Sequence, residues 1–114
     1  MTQAGVEALI VSDQSENYTN RRLIVELAEA ARLPAIYPFL AFTDVGGLMA
    51  YSVPPDVFGH LADQVDQILK GAKPGDIPFY QAREFHLSIN MKTAKALGLT
   101  VPMTLFARAD EVIE

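Results

Sequence analysis

The chain has 114 residues, of which 50% are hydrophobic and 20% charged, a balance typical of one folded globular domain rather than a disordered segment. The formal net charge is −5 and no basic run is present, which argues against nucleic acid as a partner. Because the chain has no cysteine, it has no disulfide, no thiolate metal site and no cysteine nucleophile.

The first predicted element is a strand over residues 6–11, where one glutamate interrupts the apolar run VEALIV. A nearly continuous run of this kind predicts a strand buried on both faces, at the centre of a parallel sheet. Ser12 and Asp13 follow at its carboxyl end, and residues 14–20 form a polar loop.

A helix is predicted over residues 21–32, with Leu23, Leu27 and Ala30/Ala31 on one apolar face and Ile24 and Ala28 beside them. It stops before Pro34, because the residue that precedes a proline is pushed out of the helical region. The short strand predicted at residues 35–37 completes a β-α-β unit, which implies parallel strands and a right-handed crossover.

The middle of the chain predicts a loop over residues 39–47, a third strand over residues 48–53, and a helix that begins at the prolines 54 and 55. Proline suits the first turn of a helix, where its missing N–H has no partner to lose. The helix carries an apolar stripe, which predicts packing against the core. The members of this stripe are Phe58, Leu61, Val65, Ile68 and Leu69.

The last third of the chain predicts a helix end at Gly71 and then a new strand and helix. Residues 85–90, FHLSIN, alternate apolar and polar side chains, which predicts a half-buried strand. Its polar face is expected to be wet or to meet a polar partner, as at a sheet edge or a hinge. Asn90 caps a short helix over residues 91–97, and residues 100–114 add a helical turn and a terminal strand or tail.

These elements, in this order, resemble the C-terminal part of the ABC transporter substrate-binding proteins, which are type I periplasmic binding proteins. Some members of that family carry aromatic or other amino acids. The resemblance covers nearly the whole chain in five blocks: ALIVSD (8–13), RRLIVELAEAARLPAIYP (21–38), GGLMAYS (46–52), VDQILKGAKPGDIP (65–78) and FHLSINMKTAKALGLTVP (85–102).

The resemblance implies an α/β fold, a three-layer parallel-sheet lobe of the type I periplasmic-binding-protein kind with its C-terminal strand and helix near the hinge. Residues 1–114 would form a single domain equivalent to the C-terminal ligand-binding lobe of a two-lobed protein. The implied function is to bind a small polar solute, such as an amino acid, in the cleft between lobes. The implied partner is an ABC permease, and the implied location of the full-length protein is the periplasm or cell surface.

The N-terminal residues, MTQAGVEALIV, lack the positive start and cleavage site of a secretion signal. No stretch has the roughly 20 apolar residues that cross a bilayer. A complete family member would carry a signal and a first lobe before this part. We therefore expect either a piece of a longer protein or a stand-alone half, and a stand-alone version would be cytoplasmic.

Ligands of open parallel sheets bind beyond the carboxyl ends of the strands, and three such ends are expected to converge on one rim. Asp13 could pair with an ammonium group, while Ser52 and helix N–H groups could hold a carboxylate. Phe39 or Tyr51 could stack on an apolar part, or Tyr51 could donate a hydrogen bond. The predicted ligand-binding residues are Ser12, Asp13, Phe39, Tyr51, Ser52 and Asp56.

Each of these residues also has a purely structural interpretation. Asp13 and the two serines could complete turns, as short polar side chains often do. The two aromatic residues could belong to the core or to an interface. Asp56 could simply complement the dipole at a helix start.

The sequence contains no motif for catalysis, a metal or a cofactor. His60 and His86 lack the spacing of metal ligands, and neither a phosphate loop nor a nucleophile elbow is present. The sequence therefore predicts a protein that is not an enzyme and needs no cofactor.

The sequence leaves two functions other than solute binding open. A stand-alone half-domain would leave apolar surface uncovered and act as an interaction or sensory module, as a homodimer formed by exchange of the 85–114 segment. A phospho-acceptor receiver would use Asp13 as its reactive carboxylate, but no acidic pair and no lysine at another strand end accompany it.

Overall fold

The computed structural model describes residues 5–114, which divide into two compact units. Unit 1 holds the chain up to Ser52 together with His86–Glu114, and unit 2 is Val53–Phe85. The strands, all in unit 1, are β1 (Leu9–Ile10), β2 (Ala35–Tyr37), β3 (Met49–Ser52), β4 (His86–Asn90) and β5 (Glu111–Ile113). The helices are α1 (Ser15–Thr19), α2 (Arg21–Ala30), α3 (Ala41–Asp44), α4 (Val57–Leu69), α5 (Met91–Ala96) and α6 (Met103–Phe106).

The strands of unit 1 form one sheet in the order β1-β2-β3-β4-β5. The first three strands run parallel, β4 is antiparallel to β3, and β5 is parallel to β4. The predicted α/β class and the β-α-β unit are therefore confirmed, because α2 connects the parallel neighbours β1 and β2.

The first strand lies at one edge of the sheet, so the prediction of a central strand over residues 6–11 was wrong. β1 is only two residues long and pairs with β2 alone among the described strands. The Ile10 side chain is 83% exposed, because it points away from the side on which Leu9 packs against the core. The apolar run thus has a bare face that its composition alone did not reveal.

The core of unit 1 lies between one face of the sheet and the helices α2 and α3. Its fully buried residues are Val25, Ala28, Ala35, Tyr37, Phe42 and Ala50. Leu23 and Leu27, which the helical pattern placed on the buried face, are instead 53% and 54% exposed. This helix has apolar residues on two sides, so periodicity could not decide which side would meet the sheet.

Helix α4 is the largest element of unit 2, and none of its residues is buried. The prediction that its apolar stripe packs in a core was wrong for the residues that the structure describes, because Phe58 is 74% and Leu69 81% exposed. The predicted end of the helix is confirmed, since Lys70 is its C-cap and Gly71 has a positive φ of 105°.

Strand β4 has polar side chains that meet a polar partner inside unit 1. Ser88 and Asn90 are buried, and their partner is Thr43. β4 lies between β3 and β5, so it is not the sheet edge that the alternation suggested. The predicted cap is confirmed, because Asn90 Oδ1 accepts hydrogen bonds from the first-turn amides of α5.

Candidate functional site

The carboxyl ends of β1, β2 and β3 open on the same edge of the sheet, because these strands are parallel neighbours. In the register, Leu9 pairs with Ala35, and Tyr37 pairs with Ala50. Continuing this register past the strand ends brings Asp13, Phe39 and Ser52 to the same level. The register of the paired residues, extended in this way, would give each of three strand ends one predicted residue at the same level.

Tyr51 and Ser52 point to opposite faces of the sheet, since successive side chains of a strand alternate. Ser52 is buried on the core side with Ala50, whereas Tyr51 is 51% exposed on the other face. The structure therefore groups Ser52, and not Tyr51, with the rim residues.

The loop after β1 is held by its own side chains. Asn17 Nδ2 donates hydrogen bonds to Ser12 O and to Ser12 Oγ, both at 3.1 Å. Ser12 thus serves the loop, as its structural interpretation suggested, and this hydrogen bond leaves its hydroxyl proton available. Asp13 is exposed, and within residues 5–114 no hydrogen bond or ion pair to its carboxylate is formed.

Phe39 belongs to an aromatic group that sequence reasoning missed. Its ring meets the Tyr18 ring edge-on at 5.3 Å, and the Arg21 guanidinium lies 4.8 Å from the centre of the Tyr18 ring. Arg21 Nη1 also donates to Tyr18 O at 3.0 Å, which fixes this cation over the ring. The only sequence signal was a tyrosine three residues before an arginine at a helix start.

His86 is a second rim residue that the sequence analysis did not include in the site. It is the first residue of β4 and pairs directly with Ser52 of β3. Because β4 runs antiparallel to β3, its start lies at the edge where β3 ends. The imidazole is half-buried and adds a group that can both donate and accept hydrogen bonds.

Asp56 belongs to unit 2, where it is the N-cap residue of α4 without a side-chain capping bond. It lines an open cavity of about 510 Å³ that carries charges of both signs. The other lining residues are Pro54, Phe79, Tyr80, Gln81, Arg83 and Glu84.

An extended segment of unit 2 lies along one flank of α4. The Tyr80 ring stacks on the His60 ring with their centres 3.9 Å apart, and Gln64 Nε2 donates to Pro78 O at 3.2 Å. These two contacts hold the wall of the cavity on the side of α4 that His60 and Gln64 share. They leave the apolar stripe uncovered.

Tyr37 lies in the core of unit 1, stacked on Phe42 at a centroid distance of 4.7 Å. Burial raises the pKa of the Tyr37 phenol from 10.0 to about 12. This hydroxyl is therefore neutral at ordinary pH and supports the rim as packing.

Nothing among residues 5–114 points to a metal centre or to a membrane span. No three histidine, aspartate or glutamate side chains of this part gather in a way that could hold an ion. None of its helices is long and apolar enough to cross a bilayer. The acidic cluster that a phospho-acceptor needs around Asp13 is likewise missing from the described chain.

The sequence matches a family model described as ABC transporter substrate binding protein over residues 1–113. No curated protein matches it. A conserved domain protein from Vibrio cholerae has a similar structure, with a TM-score of 0.88 and 24% identity over 97% of this chain. A protein from Streptococcus pneumoniae, solved in complex with L-Trp, is also similar in structure. Its TM-score is 0.87, with 27% sequence identity over 98% of this chain.

A third solved structure is the ligand-free, open form of a substrate-binding protein with adhesive properties from Clostridium difficile. Its TM-score is 0.65, with 18% identity over 96% of this chain. This chain covers only 37–39% of the three solved chains. The likeness thus concerns a part of each of those proteins.

Proposed function

This chain belongs to the ABC transporter substrate binding protein family, and we propose that it forms one wall of a cleft that binds a small polar solute. The family consists of substrate-binding proteins rather than enzymes, which implies a small-molecule ligand and a transporter as partner. The observation that supports the proposal is the parallel register of β1, β2 and β3, which, extended past the strand ends, would bring Asp13, Phe39 and Ser52 to one sheet edge.

The rim residues suit a zwitterion. The exposed Asp13 carboxylate would pair with an ammonium group, and the Ser52 hydroxyl with neighbouring N–H groups would hold a carboxylate. Ser12 would extend this polar edge. Tyr51, which the aligned group does not include, would contact the ligand only from its periphery. Asp56 belongs to unit 2, and its role in ligand binding stays a prediction.

We propose an amino acid as the ligand class, with an aromatic one as the first to test. The similar Streptococcus pneumoniae protein was solved with L-Trp, which supports this choice. In this chain Phe39 and Tyr18 offer ring edges and faces at the rim, and aromatic pairs of this geometry add about 1 kcal/mol beyond area burial.

The full-length protein would deliver its ligand to an ABC permease, working in the periplasm or at the cell surface as members of the family normally do. A calorimetric titration of the full-length protein with L-tryptophan tests the binding step. We expect a dissociation constant that rises at least about tenfold in Asp13→Asn, because an ionic hydrogen bond is lost. A full-length protein that binds no amino acid or other small polar molecule would refute the proposal.

We further propose that the stripe on α4 is covered by the rest of a longer, two-lobed protein. Its five members are between 43% and 81% exposed, a continuous apolar surface that monomeric proteins rarely leave bare. The similar solved chains are about two and a half times as long as this one, which supports a second lobe as the occupant. Helix α4 contains Asp63 and Asp66 but no lysine or arginine, so an anionic lipid surface is a poor alternative.

The second candidate function is a stand-alone module that dimerises by exchanging the 85–114 segment. It is favoured by the bare Ile10 face of β1 and by the exposed Leu23 and Leu27. Light scattering of the 114-residue chain should then show a dimer across micromolar concentrations. A strictly monomeric chain would exclude this function.

A further inference from the structure

Three hydrogen-bonding side chains of β4 and α5 converge on the loop that carries Phe39. Ser88 Oγ lies 3.0 Å from Thr43 Oγ1, and Asn90 Nδ2 donates to Thr43 O at 3.2 Å. Thr93 Oγ1 donates to Gly46 O at 2.7 Å. These bonds join residues 45 to 47 positions apart in sequence, so they are tertiary contacts.

The direction of the bonds follows from the available protons. Thr43 Oγ1 lies 2.7 Å from Leu40 O and can only donate there, because a carbonyl oxygen carries no proton. Ser88 must therefore donate its own proton to Thr43 Oγ1. This gives a chain from Ser88 through Thr43 to the carbonyl of Leu40, the residue directly after Phe39.

These groups are deeply buried, so their hydrogen-bond geometry determines the position of the loop. Ser88 and Thr43 are 0% exposed, and Asn90 is 6% exposed. A buried polar group that loses its partner keeps its desolvation cost, so alternative positions of the loop are disfavoured. An apolar contact of equal size would also hold the loop, but it would not fix the loop's orientation, because apolar contacts are not directional.

The loop itself is tightly closed beneath Phe39. Gly47 N donates to Phe42 O at 2.8 Å, and a Cβ atom on Gly47 would come within 2.7 Å of that same oxygen. The backbone between Phe42 and Gly47 is thus compact, and a displacement at either anchored end would be transmitted to Phe39.

We propose that Ser88, Asn90 and Thr93 are positioning residues of the ligand site: they hold the loop so that Phe39 meets Tyr18 at the rim. The ligand in this inference rests on the proposed function, whereas the hydrogen bonds that hold the loop do not depend on it. It explains why Ser88 and Asn90, on the polar face of the FHLSIN segment, are buried.

Hydrogen exchange in the 114-residue chain tests the geometric part. In Thr93→Val, which keeps the side-chain shape but removes the donor, the amides of Phe42, Thr43 and Gly47 should exchange roughly tenfold faster. The amides of Leu9 and Val11, in the β1–β2 ladder, should stay unchanged.

Matched variants separate positioning from general stability. Thr93→Ser retains the hydroxyl, so its loop amides should exchange at the wild-type rate. Ser88→Ala removes the hydrogen bond to Thr43 and should accelerate the same amides as Thr93→Val does. Thr104→Val removes an exposed hydroxyl of α6 and should change nothing. Equal acceleration in the loop and in the β1–β2 ladder would overturn the proposal, as would an unchanged loop.

The ligand part is tested by calorimetry on the full-length protein with L-tryptophan and L-alanine. Thr93→Val should lower the ratio of the L-tryptophan to the L-alanine affinity at least about threefold, because only the larger ligand reaches Phe39, and Thr93→Ser should restore it. A faster-exchanging loop with an unchanged ratio would overturn the positioning role. A wild-type protein that binds neither amino acid would overturn the proposed function. In that case the hydrogen-exchange experiment still decides whether the hydrogen bonds of Ser88, Asn90 and Thr93 hold the loop.

Discussion

Tyr37 is 2% exposed, and its ring stacks on Phe42 in the core beneath the rim. Its phenol loses most of its contact with water on folding, which disfavours the phenolate. That is why burial raises its pKa to about 12. The residue therefore couples the stability of unit 1 to alkaline pH.

We predict that unit 1 loses stability between about pH 10 and pH 12. Below pH 10 the phenol is protonated in both states, so its contribution is fully present. Above pH 10 the unfolded chain releases the proton first, and the free energy of unfolding should fall by roughly 2 to 3 kcal/mol until the folded pKa is reached. Urea unfolding at pH 9 and pH 11.5 measures this, and Tyr37→Phe should lose the corresponding part of the decline.

Residues whose role is local were well predicted from the sequence. Asn90 as a cap and Gly71 as a helix end depend on the conformation of the next few residues only. Leu23 and Leu27, on the predicted apolar face of α2, are exposed, because burial depends on which side of the helix the sheet occupies. Tyr18 was missed for the same reason, since its contact with Phe39 is tertiary.

At the scale of elements, two apolar segments with similar patterns have opposite environments. β4 carries Leu87 and Ile89 into a buried position between two strands, whereas α4 keeps its stripe exposed. Periodicity predicted a buried face for both, because it reports amphipathicity and not the presence of a neighbour.

We predict that equal truncations in these two elements have very different costs in the 114-residue chain. Ile89→Ala should lower the free energy of unfolding by about 2 to 5 kcal/mol, because Ile89 is 1% exposed and leaves a cavity. Leu69→Ala, at an 81% exposed position, should change it by less than about 0.5 kcal/mol. Urea unfolding of both variants measures the contrast.

The same pair examines the two-lobed proposal in the full-length protein. If a second lobe covers α4, the cost of Leu69→Ala should rise to about 2 kcal/mol or more there. An equally small cost in both proteins would argue against that cover.

At the scale of the whole molecule, one face of the sheet in unit 1 becomes progressively less covered from β4 to β1. Paired residues share a face, so Ile89, Met49, Ile36 and Ile10 form one row across the sheet. Ile89 is buried, the two middle residues are half-buried, and Ile10 is almost fully exposed. Parallel sheets normally have both faces covered, so this row marks an incomplete layer.

We predict that this row drives self-association of the 114-residue chain. Ile10→Lys places a charge at the most exposed end of the row and should lower the apparent mass in light scattering, with little change in stability. Thr104→Lys adds the same charge at an exposed position of α6 and serves as the control. Equal effects of the two variants would point to net charge rather than to the row.

The α/β class and the parallel pairing of the first three strands followed from the sequence, whereas the rim residues stay a prediction. Tyr51 and Ser52, which were predicted at one rim, point to opposite faces of β3, because adjacent residues of a strand alternate. The edge position of β1 could not be predicted, because the apolar sequence of a strand does not show whether one or two neighbouring strands pair with it.

Ser52 and His86 face each other across β3 and β4, although 33 residues lie between them as unit 2. Their pairing means that the two strands already have the geometry of a hairpin whose turn has been expanded. A two-residue Asn-Gly turn has the backbone twist that such antiparallel ends require. Unit 1 therefore lends itself to a loop exchange at this junction, where a short turn would rejoin the sheet without altering a single ladder bond.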